Sequence, residues 1–559
     1  MSVSNLGSRK SCMISRRQVL KTVGFASGAL LVAACSAPAP AAQPAAPAAT
    51  SAASSAPAAA GQKKKGGIFR MAHNDDFTTL DVALAYSYVD WWASAFMLYN
   101  RLYSYDNALK FGPDLAADMP TISADGLTVT IPLKKGVKFH NGQEMTAEDV
   151  KFSIERSASP TINTTSSYIA NIVGIKDVTA GKATEAAGII VKDPYTIELK
   201  LSEPQPTLVY NFAVSVLGIA PKKAIQDAGA DWGTKVVIST GPYKLTEWKT
   251  GEKITFERYQ DYFNPLVGFV DKIEINQKVE PEQQVLRWEA GELEYAVNYP
   301  SAELARIQGD ETLKQRLVSG KTVLIDYLTL RNAAPIDDLN VRKAIAFAID
   351  KQAIVDKVRT AAPLNRLYPD GFPNVVADFT SQYPYDPEKA KAALAESKYK
   401  DGVKLAMWAF QNNEVAEMIQ ADLKEVGIEL EVQRGDYGSF KPKFDSGEVQ
   451  MNMNGFGADV LDPSLFVQDR ILCAADAPAV TFCDPQVKEW YDKTTTLPPD
   501  SKERLEVFRQ LEDFVVNQAV TRIPLTQRDA FGLSQTYMKD MVIHPIFGLP
   551  DPQIMWLDR

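Results

Sequence analysis

The chain has 559 residues, of which 45% are hydrophobic, 23% charged and 9% aromatic. This composition is typical of a globular protein with two or three domains and excludes a fibre, a disordered chain and a small disulfide-stabilised fold. The net charge of −9 has the wrong sign for a protein that follows a phosphate backbone, so we expect no nucleic-acid partner. With 3 His and 4 Cys, the chain offers few candidates for a metal centre or a thiol redox pair.

The first 34 residues predict an export signal that the working protein loses. Five basic residues and no acidic residue precede the uncharged apolar run 22–34. That run has 13 residues, whereas about 20 are needed to cross a bilayer, so it is not a transmembrane helix. Residues 15–21 contain two consecutive arginines and resemble a twin-arginine signal, with Val19 where Phe is commoner. An ordinary secretory signal is the alternative.

A lipid anchor and a tether are predicted next. Residues 31–35, Leu-Val-Ala-Ala-Cys, resemble a bacterial lipobox, in which Cys35 becomes the lipid-modified first residue. Residues 36–60 are almost wholly Ala, Pro and Ser and cannot form a core, so 35–65 is interpreted as a lipidated tether. Its terminal lysines, 63–65, are expected to be solvated, with contact to anionic lipid as the alternative. Loss of the signal removes five positive charges and changes the net charge from −9 to −14.

Cys473 and Cys483 are the cysteines that remain once Cys12 has left with the signal and Cys35 is lipidated. Because the protein is exported, we expect them to form a local disulfide, with two free buried thiols as the alternative. Closing so short a loop stabilises the fold by about 2–3 kcal/mol in the chain-entropy model.

The first half of the globular body is predicted to be rich in β-strands. Residues 127–133 alternate with period two, 137–139 resume the pattern, and Asn141-Gly142 supplies a tight turn. A helix is expected to begin at Thr146, which has an acidic residue three positions later. Further predicted strands are 189–191, 195–201, 243–248 and 253–258.

The second half alternates helices with strands, which predicts a mixed α/β architecture in at least two lobes. Asn340 is expected to cap a helix over 341–349, and Pro387 to open a helix that runs to 397. The remaining predicted elements are helix 415–426, strand 428–432, helix 505–516 and a strand that begins at 522.

Several motifs in this order resemble family 5 extracytoplasmic solute-binding proteins of ABC importers, the peptide- and nickel-binding group. The longest is 127–156, LTVTIPLKKGVKFHNGQEMTAEDVKFSIER, and the others are 79–84, 240–245, 336–350 and 386–394. The resemblance covers about residues 66–550. It implies a bilobed α/β clamp like that of periplasmic binding proteins, with two lobes joined by two hinge strands and a small β-rich domain inserted.

On this chain the resemblance implies the following division. Lobe I comprises 66–105, 239–327 and 524–559, the inserted domain comprises 106–238, and lobe II comprises 328–523. The hinges are expected near 324–330 and 523–527.

The resemblance also implies a ligand site in the cleft between the lobes. In peptide-binding relatives a segment like 455–463 lines the cleft and an Asp holds the ligand's ammonium group. Asp459 matches that Asp, Phe456 the aromatic residue and Ala458 the small residue between them. A carboxylate pairs with a cation more strongly in a cleft that excludes water than on a surface. A turn-capping role for Asp459 is the alternative.

Further cleft candidates are Trp408, Gln411, Tyr86, Ser87 and Tyr437, and each has plain packing as its alternative. Dipeptide-binding relatives place a basic residue near Gln411 for the ligand carboxylate. In this chain amide side chains occupy these positions. Longer peptides, or a cationic solute without a carboxylate, therefore remain candidate ligands.

We expect a binding protein rather than an enzyme. The chain lacks the sequence patterns of serine hydrolases, zinc proteases, dithiol oxidoreductases and phosphate loops, although 320–322 echo the end of a phosphate loop. A nickel or metal chelate is the second candidate ligand, with His73 or His544 as contributors, and a sugar or other non-peptide solute is a further one.

The prediction is therefore a monomeric, lipid-anchored receptor on the outer face of a bacterial membrane. It uses no cofactor, captures a peptide by lobe closure and delivers it to permease subunits with a separate ATPase. A receptor or chaperone without transport is the remaining alternative.

Overall fold

The computed structural model describes residues 63–559 except 86, 166, 298–300, 359, 411–412, 436, 447, 458–459 and 473–483. The side chains at 88, 301, 413, 437, 438, 441, 445, 469 and 470 are also outside the description. The predicted signal, Cys35 and most of the tether precede this range. Among the helices of the described residues, none is both long and apolar enough to cross a membrane.

The strands of the body are short, apart from two long ones. In chain order they are β1 (Ile68–Ala72), β2 (Tyr103–Tyr105), β3 (Phe111–Pro113), β4 (Thr121–Ile122), β5 (Thr128–Pro132), β6 (Ile189–Asp193), β7 (Thr196–Lys200), β8 (Tyr243–Lys249), β9 (Lys253–Arg258), β10 (Lys272–Asn276), β11 (Tyr295–Val297), β12 (Leu317–Leu330), β13 (Ala361–Pro363), β14 (Val403–Ala409), β15 (Ile428–Arg434), β16 (Met451–Phe456), β17 (Arg522–Ser534), β18 (Met538–Lys539) and β19 (Trp556–Leu557).

The helices concentrate in the second half of the chain. They are α1 (Tyr88–Ala93), α2 (Ala147–Ser157), α3 (Ile175–Thr179), α4 (Leu208–Asn211), α5 (Lys222–Ala228), α6 (Pro281–Glu289), α7 (Ser301–Gly309), α8 (Glu311–Lys314), α9 (Leu339–Ala348), α10 (Lys351–Val358), α11 (Pro387–Ala395), α12 (Asn413–Glu425), α13 (Tyr437–Ser446), α14 (Pro463–Arg470), α15 (Pro485–Thr496) and α16 (Lys502–Asp513). Single π-helical turns follow α1, at Ser94–Leu98, and α16, at Phe514–Gln518.

One large sheet contains most of the strands, in the order β15-β14-β16-β12-β17-β11-β1-β10-β9-β8, with β13 paired to β17. The long strands β12 and β17 run antiparallel through its centre. The first part of β12 pairs with the part of β17 that contacts β11, and its last part pairs with β16. The pairing shifts in register between Lys321 and Ile325. The predicted hinge segments are therefore neighbours, with Ile325 opposite Gln527 and Leu328 opposite Ile523.

A separate four-stranded sheet, in the order β4-β5-β7-β6, forms part of the predicted inserted domain. Its buried side chains and those of α2 share a core that runs from Leu102 to Ile219. An ion pair fastens α2 to the segment before α1, because Arg156 donates to the Asp81 carboxylate at 2.9 and 2.5 Å. The Arg156 and Asp81 side chains are 17% and 4% exposed, so this contact is partly buried. The domain boundaries themselves stay a prediction.

Most predicted elements are present, with two local corrections. Residues 137–139 form a single bridge, Lys138 to Glu144, rather than a strand, although Gly142 does adopt the positive φ of a tight turn. The N-cap of α9 is Asp338 and not Asn340, since the Asp338 carboxylate accepts the Asn340 backbone N–H at 2.8 Å. The prediction placed the cap two residues late because Asn is also a strong capping residue.

The lysines that end the tether contact the body. Lys63 pairs with Asp540 at 2.8 Å and Lys64 with Asp558 at 2.6 Å, and Lys63 also lies over the Phe269 ring. These pairs are between one third and three fifths exposed, so each contributes at most about 1 kcal/mol. Both lysines remain solvent-exposed, as the sequence predicts, while they make these surface contacts.

Candidate functional site

The segment 455–463 is held against the core by Phe456, at the end of β16. Phe456 is the last residue of β16, lies opposite Ile325 of β12 and is 6% exposed. Its ring meets Phe466 edge to face, with 4.7 Å between the ring centroids. Phe456 therefore anchors the segment in the core. Ala458 and Asp459, which follow it, lie outside the described residues, so their predicted roles stay predictions.

The aspartate that precedes Pro463 has a structural role. Asp462 caps α14 by accepting the Ser464 backbone N–H at 3.0 Å. Its carboxylate also receives two hydrogen bonds from Arg504, at 2.9 and 2.6 Å. Both side chains are at most 1% exposed, which makes this a fully buried ion pair. It fixes the end of the 455–463 segment to α16.

The same segment contacts the N-terminal part of the body through a tyrosine. The Leu461 backbone N–H donates to the Tyr105 hydroxyl of β2 at 3.2 Å. Burial raises the pKa of Tyr105 well above its usual value, so the hydroxyl is neutral. Tyr105 in turn lines a small cavity, together with Trp91, Phe96, Arg101, His544 and Phe547.

The charge state of this cavity follows from burial. Burial, with a smaller contribution from the positive Arg101, lowers the pKa of His544 to about 4, so the imidazole is neutral at pH 7. The His544 Nδ1 atom accepts the Ile546 backbone N–H at 3.2 Å, which places its proton on Nε2, 3.5 Å from the Tyr105 carbonyl oxygen. Burial also lowers the pKa of Arg101, but from so high a value that it stays protonated. The cavity therefore carries one positive charge.

A second charged group lies where the long strands meet β16. Arg528 of β17 binds the Asp326 carboxylate of β12 at 2.9 and 2.5 Å, and the Thr526 hydroxyl donates to the same carboxylate at 3.1 Å. The Arg528 side chain is 46% exposed. A Cβ atom at Gly455 would lie 3.1 Å from the guanidinium, so glycine at this position leaves room for the arginine.

The other predicted site residues are dispersed. Trp408 is 2% exposed and packs in an aromatic cluster with Phe440, 5.8 Å between ring centroids, beneath α13. Ser87 caps α1 by accepting the Asp90 backbone N–H at 3.2 Å. Both have structural contacts here. Tyr86 and Gln411 lie outside the described residues, as do Cys473 and Cys483. Tyr437 begins α13, and its side chain is likewise not described.

The alternative metal and nucleotide sites find little support. Across the described residues, no group of three or more His, Cys, Asp or Glu side chains is placed to hold a metal ion. His73 and His544 are both buried. Residues 320–322, which echo a phosphate loop, belong to strand β12 rather than to a loop before a helix.

The cavity residues were missed by the sequence predictions, apart from His544. A signal was present: Arg101 is a lone basic residue between the apolar pairs Leu98-Tyr99 and Leu102-Tyr103. Such a charge in a buried run needs a partner or a function. Trp91 is followed by a second tryptophan, but that pattern is equally typical of a core.

The architecture defines the fold class of the protein, which is that of the bilobed periplasmic binding proteins. A periplasmic binding protein from Helicobacter pylori, DppA in complex with the peptide STSA, superposes with a TM-score of 0.73 over 89% of this chain and 99% of that one, at 22% identity. This similarity confirms the predicted fold class, two α/β lobes with two connecting strands and an inserted β-rich domain.

The chain belongs to the bacterial extracellular solute-binding proteins, family 5, whose model matches residues 110–475. It is 27% identical to the dipeptide-binding protein of Escherichia coli over 484 residues, which is 81% of this chain and 88% of the relative. It is 25% identical to heme-binding protein A of Haemophilus influenzae over 483 residues, 82% and 86% of the two chains. The predicted family is confirmed, and solute-binding proteins of this family are extracytoplasmic components of importers rather than enzymes.

Proposed function

We propose that this protein is the receptor of an ABC importer and captures a di- or oligopeptide outside the cytoplasm. Membership of family 5, with similarity to a dipeptide-binding protein over 81% of the chain, is the observation that carries the proposal. The receptor would pass its ligand to permease subunits that a separate ATPase drives. It acts as a monomer, uses no cofactor and makes or breaks no bond.

Lobe closure about β12 and β17 is the proposed mechanism. The lobes are those predicted from the sequence. Lobe II, 328–523, moves against lobe I, which comprises 66–105, 239–327 and 524–559 and carries the inserted domain 106–238. The register shift between Lys321 and Ile325 supports a flexing point there, because ladder hydrogen bonds are interrupted. A ligand that binds the closed form better shifts the population by that difference in affinity.

We propose that Asp459 holds the ligand's ammonium group. The test is thermal melting of the full-length protein with a pool of tripeptides and with the same pool N-acetylated. A ligand at about 100 times its Kd stabilises the fold by about 2.7 kcal/mol. With an unfolding entropy of about 2.1 cal/mol/K per residue, this stabilisation raises the melting temperature by about 2–3 °C.

Free peptides are expected to raise the melting temperature of the wild-type protein, whereas N-acetylated peptides are not. The isosteric variant Asp459→Asn should lose the shift with free peptides. Equal shifts in melting temperature with both pools would contradict the proposal that Asp459 holds the ligand's ammonium group. No shift with either pool, in protein shown by native mass spectrometry to be ligand-free, would transfer the proposal to a metal chelate or another non-peptide solute.

Export and anchoring complete the proposal. A twin-arginine signal of 34 residues directs export, Cys35 carries the lipid, 36–65 form the tether, and Cys473 and Cys483 form a disulfide. Intact mass of protein from membranes should show a chain that begins at Cys35 with added lipid mass, and alkylation without reduction should label neither remaining cysteine. Cys35→Ala protein that still fractionates with membranes would contradict the anchor.

A further inference from the structure

The flexing point between β12 and β17 is a bulge that side chains hold together. Three residues of β12, 322–324, lie opposite a single residue of β17, Arg528, so the strand ladder is interrupted there. Two side-chain bonds bridge the gap. The Thr322 hydroxyl donates to the Arg528 carbonyl oxygen at 2.7 Å, and the Gln527 side-chain amide donates to the Thr322 carbonyl oxygen at 2.7 Å. Thr322 and Gln527 are 1% and 4% exposed, so water does not compete for these bonds.

Gln527 also binds a loop that comes from the other predicted lobe. Its side-chain oxygen accepts the Asp370 backbone N–H at 2.7 Å, and its amide donates to the Asp370 carbonyl oxygen at 3.3 Å. Thr322 belongs to predicted lobe I and Asp370 to predicted lobe II. One buried side chain therefore joins the two lobes at the point where the long strands flex.

The loop that contains Asp370 is fastened to lobe II on both sides of this contact. The Leu367 backbone N–H donates to the Glu512 carboxylate of α16 at 2.8 Å. The Gln382 backbone N–H donates to the Asn517 side-chain oxygen at 2.8 Å. Because both acceptors lie in the helical segment 502–518 of lobe II, Asp370 is expected to move with that lobe.

The same loop packs beside the segment 455–463, which touches the other lobe. The Tyr368 ring meets Phe466 edge to face, with 5.8 Å between ring centroids, and Phe466 meets Phe456 at 4.7 Å. Leu461, in predicted lobe II, donates its backbone N–H to the Tyr105 hydroxyl of predicted lobe I. The described conformation is therefore one in which the predicted lobes are in contact, and the Gln527 bonds belong to it.

We propose that Gln527 is a positioning residue for lobe closure. Its bonds to Thr322 and Asp370 favour the conformation with the lobes in contact over one with the lobes apart. Rotation about the bulge changes the separation of the two backbone groups that the single amide spans, and hydrogen bonds weaken steeply outside their normal length and angle. Loss of one or two neutral bonds on opening changes the ratio of the two forms by about 10-fold. The inference rests on the proposed closure mechanism and names a residue that sets its equilibrium.

Hydrogen–deuterium exchange of ligand-free, full-length protein tests this role. The Leu461 amide, bonded to Tyr105 in the described conformation, should exchange about 10-fold faster in Gln527→Met protein than in wild type, because its exchange follows the population with the lobes apart. Gln527→Glu keeps the length of the side chain but has no amide group to donate, so it should change the exchange rate in the same direction.

The matched control is Gln535→Met, which removes a similar glutamine just after the end of β17. Gln535 is 9% exposed, and its amide donates to the Trp288 and Leu293 carbonyl oxygens at 2.8 and 3.2 Å, both in predicted lobe I. Gln535→Met should lower the melting temperature about as much as Gln527→Met and leave the Leu461 exchange rate unchanged. An exchange rate that is unchanged in Gln527→Met, or raised equally by both substitutions, would make Gln527 merely structural and overturn the proposal.

Peptide titration distinguishes failure of this role from failure of the peptide function. If the closed form binds peptide, Gln527→Met should bind a tripeptide pool up to about 10-fold more weakly than wild type, and Gln535→Met should bind it as wild type does. Faster Leu461 exchange in Gln527→Met alone, without peptide binding by any variant, would support the hinge role and remove the peptide function. Peptide binding by all three proteins with equal affinity and equal exchange would keep the peptide function and overturn the hinge role.

Discussion

Replacement of Arg504 by methionine should destabilise the protein more than any surface charge change. The Arg504 and Asp462 side chains are 0% and 1% exposed and share two hydrogen bonds. Arg504→Met leaves the aspartate charge buried without its cation, which costs about 3–5 kcal/mol. At about 2.1 cal/mol/K per residue, a body of roughly 500 residues has an unfolding entropy of about 1 kcal/mol/K, so the melting temperature should fall by about 3–5 °C.

The assay is thermal unfolding of the variant beside a matched surface pair. Lys488 and Asp492 also form an ion pair, at 2.6 Å, but are 68% and 56% exposed, so Lys488→Met should change stability by at most about 0.5 kcal/mol. The double variant Asp462→Leu with Arg504→Met should lose less than the two single variants together, since it leaves no unpaired charge. Strictly additive losses, or a loss no larger than that of Lys488→Met, would refute the argument.

Two further variants test other buried contacts. Burial raises the pKa of Glu512 to about 7 although Arg366 opposes the shift, so the unfolded chain loses this proton first and stability falls as pH rises from 4.5 to about 7. Glu512→Gln should therefore flatten the fall in melting temperature over this pH range, and an unchanged slope would contradict this. Gly532→Ala would place a Cβ 1.9 Å from the Tyr295 hydroxyl and should cost about 1–3 kcal/mol or more in urea unfolding, whereas Gly309→Ala, with open space around it, should be nearly neutral.

The fold was largely predictable from the sequence because its local signals are redundant. Three helices begin at an Asp-Pro pair, with Asp386, Asp462 and Asp484 as caps, and each aspartate accepts a backbone N–H of the first turn. At these positions the helix propensity, the capping residue and the hydrophobic periodicity all predict the same helix. The cap of α9 was misplaced because Asp338 and Asn340 are both good capping residues and the spacing alone does not choose between them.

The candidate site was less predictable, since its residues are brought together by tertiary structure. Tyr105 is hundreds of residues from both Leu461 and His544 in sequence, yet all three surround or adjoin one cavity. Trp408 was expected at the cleft on the basis of the family resemblance, but the structure gives it an aromatic cluster of its own. An aromatic residue carries no local signal that separates packing from ligand contact.

Most residues of the motifs that identify the family make structural contacts within the fold. Asp81, from one motif, binds Arg156, from another, so the two motifs are linked through a partly buried ion pair rather than through a ligand. The same reasoning bears on Asp459, whose alternative role was to cap a turn. The helix that follows it already has Asp462 as its cap, with Arg504 behind that carboxylate. The start of α14 therefore requires no second aspartate.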